Sequence, residues 1–319
     1  MVFISKKIIN NRERYYIEHS FRYPNKKLKK ISIYLKNFNL KEKNKIIQEY
    51  SPILKEKEAR LIINFCLNEY KVDNIFTRER IQDIEKKKID YKDIKKKLTK
   101  KQLSDVLDRF TVNFTYESNA LEGNSLTLKD VGLVLHKNIS IKGKDLREIY
   151  ETKNTRKVME LIFKNKFKIT KEDIIKLHSL LVKDTNIPSG FKKIPNFILM
   201  RDIKTVPPEK VEQEIDALID WYKKEKIIHP LKKIAHFHGR FEKIHPFEDG
   251  NGRVGRMLIN TMLISHDYPL LIIRKTQRQS YFSALGAFDS NYPHKLERFI
   301  IEKYKDTFEK FFKIYVKYL

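Results

Sequence analysis

The chemistry of this chain concentrates in the stretch His245-Pro-Phe-Glu-Asp-Gly-Asn-Gly-Arg-Val-Gly-Arg256. It combines an imidazole, a carboxylate, a glycine-bracketed turn and two guanidiniums. Pro246 lacks an N–H and fixes its φ, so it breaks a helix arriving from the N-terminal side and starts a loop. Gly250 and Gly252 bracket Asn251, which allows a tight turn and a close approach of backbone N–H groups to a ligand. From Arg253 onward the apolar residues Val254, Met257, Leu258, Met262 and Leu263 recur at helical spacing. The turn therefore sits at a helix N-terminus, where unpaired N–H groups and the macrodipole favour an anion. Arg253 and Arg256 share one face of the first turn. Positive charge there opposes the dipole at roughly 0.3–1 kcal/mol per residue unless something compensates it. A polyanion such as a di- or triphosphate would compensate it. Asp249 would repel that ligand by itself, but beside phosphates a lone carboxylate can hold Mg²⁺. His245, at the start of the loop, can take a proton from an incoming hydroxyl. Each of these residues alone is more often structural; it is their combination that points to chemistry.

A second stretch is Thr115-Tyr-Glu-Ser-Asn-Ala-Leu-Glu-Gly-Asn-Ser-Leu-Thr127. Ser118 and Glu122 share a helix face, and Gly123 can terminate that helix. Taken bare, this is an ordinary helix end.

Together the two stretches resemble Fic-domain proteins. Residues 245–256 fill every specified position of the signature His-Pro-Phe-x-Asp/Glu-Gly-Asn-Gly-Arg-x-x-Arg. They differ from the Doc-type variant, which carries Ala-Asn-Lys in place of Gly250-Asn251-Gly252. Residues 118–123 are similar to the family's inhibitory motif, Ser/Thr-x-x-x-Glu-Gly/Asn. The resemblance implies a mainly α Fic-type helical bundle with a β-hairpin flap. It implies a protein adenylyltransferase that moves AMP from ATP to a Ser, Thr or Tyr hydroxyl of a target protein, or of itself. In that reading His245 is the base, Asp249 holds Mg²⁺, and Gly250, Asn251, Gly252, Arg253 and Arg256 hold the phosphates. Glu122, carried on the helix with Ser118, pairs with Arg256 and excludes the productive pose of the γ-phosphate. Tyr281, Phe282 and Asp289 stand where the family contacts adenosine, although an aromatic pair on a helix is commonly core. The same site could instead remove AMP from a modified protein.

The elements that must position these groups can be placed from pattern. Residues 1–38 read as a small antiparallel β-meander. Val2–Ile9 turns at Asn10-Asn11 into Arg14–Tyr23, which turns at Pro24-Asn25 into Lys29–Leu35. Residues 39–105 read as charged helices whose lysine runs are solvated faces. The Fic-like region covers 106–319, with the inhibitory helix at about 114–123, the flap at about 190–208 and the signature loop at 245–256. In the flap, Phe197 to Met200 are strand-like and Arg201-Asp202 is a turn. Such a flap would dock a target by backbone pairing and so align a hydroxyl. Lys192 stands where the family often has arginine. His236 and His238 do not share a helical face, so each reads as a structural hydrogen bonder and not as half of a metal pair. Phe247 reads as an anchor that holds the loop against the bundle.

Composition narrows the classes further. The 319 residues suffice for about two domains. The formal charge of +26, from 67 Lys+Arg against 41 Asp+Glu, is spread along the chain. That spread favours solvated helix faces over a dedicated nucleic-acid surface. The basic, aromatic N-terminal sheet keeps a nucleic-acid-associated regulator, with the Fic core as a nucleotide sensor, as the lesser alternative. Cys66 is the single cysteine, so an intrachain disulfide is excluded. No apolar run approaches the ~20 residues of a membrane span. Lys6-Lys7 cuts short any leader-like apolar segment, so the expected address is the cytoplasm.

Overall fold

The computed structural model describes residues 2–137, 139–198 and 203–317. The chain divides into two compact units between Ile89 and Asp90. The first opens with three antiparallel strands, β1 (Val2–Ile9), β2 (Arg12–Arg22) and β3 (Leu28–Leu35), in the order β1-β2-β3. Asn10 and Asn11 both adopt left-handed φ, 52° and 55°, the geometry of a two-residue hairpin turn whose twist matches the strands. Ile17 pairs with Ile4 on one side and Ile33 on the other. These residues bury Ile17 and Leu35 against Leu54 of α1 (Lys43–Glu69). On the opposite face, Glu18 gathers Lys7, Lys30 and the Ser32 hydroxyl. Burial would raise its carboxyl pKa, but those donors outweigh it and hold the group at about 2. Cys66 is buried, and burial pushes its thiol pKa up.

The division falls inside α2 (Arg78–Lys97). The second unit then runs through α3 (Lys100–Leu121), α4 (Leu128–Lys137), α5 (Leu146–Phe163), α6 (Lys171–Leu181), α7 (Pro208–Lys224), α8 (Pro230–Ile244) and α9 (Asn251–Ser265). It closes with α10 (Arg278–Asp289), α11 (His294–Thr307), a π-helical turn at Phe308–Phe312 and α12 (Lys313–Lys317). At α9 every side chain from Arg253 to Leu263 is buried, because α3, α5, α6 and α8 all pack on it. A helix so enclosed is the axis of a bundle, and polar groups on it must find partners inside. α3 starts at a capping box between Thr99 and Gln102 and stops at Glu122, with Gly123 at φ 97°. That stop places Ser118 and Glu122 at the end of a rigid element.

The flap expected at 190–208 is irregular over its described residues, 190–198 and 203–207, which carry no strand. The residues expected at its turn, Arg201-Asp202, and the strand-like Leu199 and Met200 lie outside the described residues. Its flanks are joined by side chains: the Thr205 hydroxyl donates to the Asn196 carbonyl at 2.9 Å. Phe197 is 90% exposed. Among the described residues, no helix is long and apolar enough to cross a membrane.

Candidate active site

The loop between α8 and α9 is built by its own side chains. His245 ends α8 in the left-handed conformation, φ 52°, and its N–H still reaches the Phe241 carbonyl at 3.0 Å. This reversal leaves the imidazole half-buried at the mouth of the loop. Asn251 spans the loop: its Oδ1 accepts from the Phe247 N–H and its Nδ2 donates to the Phe247 carbonyl, both at 2.8 Å. Its side-chain amide thus braces the turn that the sequence assigned to phosphate binding. Phe247 is fully buried, with its ring stacked on His178 at 3.8 Å. His178 also meets the Asp249 carbonyl at 3.0 Å through Nε2. Burial lowers its pKa to about 4 and keeps the imidazole neutral. Gly250 caps α9 at φ 82°, a conformation that side chains rarely adopt.

The two arginines at the start of α9 are buried and held by different carboxylates. Arg253 lies 2.8 Å from Glu151 through Nη1 and 3.6 Å from Asp249 through Nη2. Arg256 donates from Nε to the Ser118 hydroxyl at 3.0 Å and from Nη2 to the Ser118 carbonyl at 2.8 Å. The same Nη2 is 2.7 Å from Glu122 Oε1. Burial works against the Arg256 charge, but the neighbouring carboxylates, Glu122 foremost, raise its pKa. The Glu122 carboxylate also lies against Gly252: a Cβ added there would stand 2.3 Å from its Oε1. It thus occupies the space over the first turn of α9, where the N–H groups have no helical acceptor.

Asp249 projects from the loop with 46% of its side chain exposed. Burial raises its pKa, but Arg253, the Gly250 N–H and Arg147 outweigh it and hold the carboxyl below its ordinary value. Among the described residues no group of three or more His, Cys, Asp or Glu side chains could hold a metal ion. A cation here would be shared between Asp249 and ligand oxygens, which is how Mg²⁺ binds with nucleotide phosphates.

The other expected residues fall nearby. His236 reaches Glu297 at 2.7 Å and His238 reaches the Tyr281 hydroxyl at 2.7 Å. Tyr281 is buried, packed between His238 and Phe299, so it offers no open face to an adenosine. The neighbouring Phe282 is half-buried with Arg278 over its ring at 5.0 Å, and Asp289 is half-buried at the end of α10. Lys192 is buried: its Nζ donates to Asn196 Oδ1 at 2.7 Å and Thr205 Oγ1 at 3.0 Å, and burial lowers its pKa to about 8. Its N–H reaches the Pro246 carbonyl at 2.9 Å, while Asn196 Nδ2 reaches the Phe247 carbonyl at 2.7 Å. The flap is thereby fastened to the signature loop.

The model of the Fic/DOC family matches residues 168–263, which run from α6 through most of α9. This segment is similar to the Fic/DOC family. Over 177 residues it is 29% identical to the protein adenylyltransferase Fic of Nematostella vectensis, covering 54% of this chain and 42% of that protein. Over 122 residues it is 38% identical to a probable protein adenylyltransferase of Aquifex aeolicus, covering 36% and 38% of the two chains. The chain thus spans about two-fifths of the length of these relatives. A Fic-domain signalling protein of Bacteroides thetaiotaomicron shares the fold with a TM-score of 0.67 at 26% identity, covering 75% of this chain and 97% of that one. Fic-1 of Caenorhabditis elegans, residues 134–508, superposes with a TM-score of 0.63 at 19% identity, a likeness of fold.

Four residues of this site escaped the sequence reading: Arg147 and Glu151 on α5, His178 on α6, and Asn196 between α6 and α7. None stands in a motif. Arg147 lies far from Asp249 along the chain, so only the fold brings them together.

Proposed function

We propose that the protein is an autoinhibited protein adenylyltransferase. The observation that carries the reading is the Glu122 carboxylate, paired with Arg256 and seated over Gly252 at the α9 N-terminus, an end suited to a phosphate. In this reading ATP lays its phosphates along the first turn of α9. The turn's N–H groups take the α-phosphate, and Arg253 and Arg256 take the β- and γ-phosphates. Asp249 would hold Mg²⁺, which supplies charge neutralisation between the phosphates. Phe282 and Asp289 would flank the adenosine, with Tyr281 fixing their helix from behind. A Ser, Thr or Tyr hydroxyl of a protein substrate, brought in along the flap, attacks the α-phosphorus. His245 accepts the hydroxyl proton as the O–P bond forms and pyrophosphate leaves. Most of the rate would come from positioning and charge stabilisation by groups already in place.

Glu122 opposes this by supplying its own negative charge to Arg256, so a γ-phosphate must displace it. A charged hydrogen bond contributes about 1.5–3 kcal/mol, so its removal should raise transfer about ten- to a hundredfold. The test uses ATP labelled at the α- or the γ-phosphate with wild-type, Glu122→Gly and His245→Ala proteins. Label on protein from the α-position alone, stronger in Glu122→Gly, is expected. Loss of a general base should lower transfer by about 10²–10⁴ while ATP binding persists in His245→Ala. Label arriving from the γ-position would overturn the proposed orientation of the nucleotide. If no label appears but a pre-modified protein loses its AMP, the site runs in the removing direction.

A further inference from the structure

The two oxygens of Asp249 are held differently. Oδ1 accepts from the Gly250 N–H and faces Arg253. Oδ2 is covered by Nη2 of Arg147. Arg147 stands in the first turn of α5, where Asp145 caps the helix by accepting its backbone N–H at 2.8 Å. Its Nε is already 3.1 Å from Glu151 Oε1, one turn further on. That same oxygen meets Arg253 at 2.8 Å, and Glu151 Oε2 accepts from Asn124 at 3.2 Å. Glu151 is thus a buried post with fixed partners. The Arg147 and Asp249 side chains are each 46% exposed, so their contact can open without disturbing the core.

We propose that Arg147 is a latch on the metal position. It rests on the reading that Asp249 holds a divalent cation with the nucleotide. In the resting protein the guanidinium covers the oxygen that the cation would take, and the two positive groups cannot share it. Cation entry moves the guanidinium from Asp249 while its Nε stays on Glu151. The device is separate from the Glu122 contact on Arg256, yet it is tied to the same turn: Asn124, which anchors Glu151, follows Glu122 after one intervening glycine. Two contacts, one on each side of the phosphate cradle, then hold the site closed.

The test measures binding and not turnover. Mn²⁺ is titrated into protein with a non-hydrolysable ATP analogue, and free Mn²⁺ is read by electron paramagnetic resonance. The parent is Glu122→Gly, compared with Glu122→Gly/Arg147→Ala and Glu122→Gly/Asp249→Asn. A half-exposed ion pair predicts about two- to fivefold tighter Mn²⁺ binding once Arg147 is removed. Asp249→Asn should weaken Mn²⁺ binding, the phosphates alone then holding the ion, while still binding a fluorescent ATP analogue. Unchanged or weaker Mn²⁺ binding in the Arg147 variant, with weakened binding in the Asp249 variant, would overturn the latch alone. Undiminished Mn²⁺ binding in the Asp249 variant would overturn the metal assignment beneath it. Arg147→Gln, which keeps the length of the side chain without its charge, replaces the alanine variant should that fail to fold.

Discussion

At the scale of single residues, space and charge can be separated at Gly252. The missing Cβ leaves room that the Glu122 carboxylate fills, and Arg256 Nη1 lies 2.9 Å from the same point. Gly252→Ala would push the carboxylate aside, yet its methyl would stand in the proposed phosphate position. The substitution should therefore not mimic Glu122→Gly. In the Glu122→Gly background it should weaken nucleotide binding about tenfold or more, a loss of about 1.4 kcal/mol. Its backbone is helical and no positive φ is at stake, but the methyl would crowd Glu122 and the buried Arg256, so alanine should lower stability by about 1–3 kcal/mol. Nucleotide titration beside a thermal melt checks both halves. A variant that binds nucleotide as its parent does would place the phosphates elsewhere.

At the scale of elements, the site is a helix end supported by a loop that supports itself. Asn251 takes both polar groups of Phe247, and the Phe247 carbonyl has a second donor in Asn196 whereas its N–H has none in the contacts described. Asn251→Ala should leave that buried N–H unsatisfied at a cost of about 1–3 kcal/mol. The melting temperature should fall by a few degrees, about 2–4 °C for each kcal/mol in a domain of this size. Calorimetry decides it; an unchanged melting temperature would show that the loop does not depend on Asn251. The helices here could be read from the sequence because their apolar residues repeat at helical spacing, and the Asn10-Asn11 turn because both residues tolerate left-handed backbone. The irregular flap could not. Phe197 looks like a strand residue by type, but the hydrogen bonds of its neighbours go to side chains and to the signature loop, and no periodicity records that. Tyr281 shows the same limit: spacing puts it on a helix, but only packing shows that its face turns inward to His238.

At the scale of the molecule, the signature loop, Ser118 and Glu122 could be read because each lies in a contiguous motif. Arg147, Glu151 and His178 could not, since their work depends on which helix lands beside α9. His178 gives this a measurable consequence. It is fully buried between Phe247 and the Asp249 carbonyl, with its pKa lowered from 6.5 to about 4. In the unfolded chain it binds a proton as pH falls through about 6.5, whereas in the folded chain it resists until about 4. Between those values the unfolded state holds more protons, so acidification favours unfolding. The stability that His178 contributes is complete above about pH 6.5 and is lost as pH falls to about 4. A shift of that size corresponds to about 3 kcal/mol. Urea unfolding of the wild type and of His178→Gln across pH 7 to 4 isolates the contribution from carboxylates that titrate in both. The wild type should lose about 3 kcal/mol more than the variant over this range. Parallel pH profiles would mean that the imidazole is as easily protonated in the fold as in water. The stacking that holds Phe247, and with it the loop carrying His245 and Asp249, would then not depend on a neutral ring.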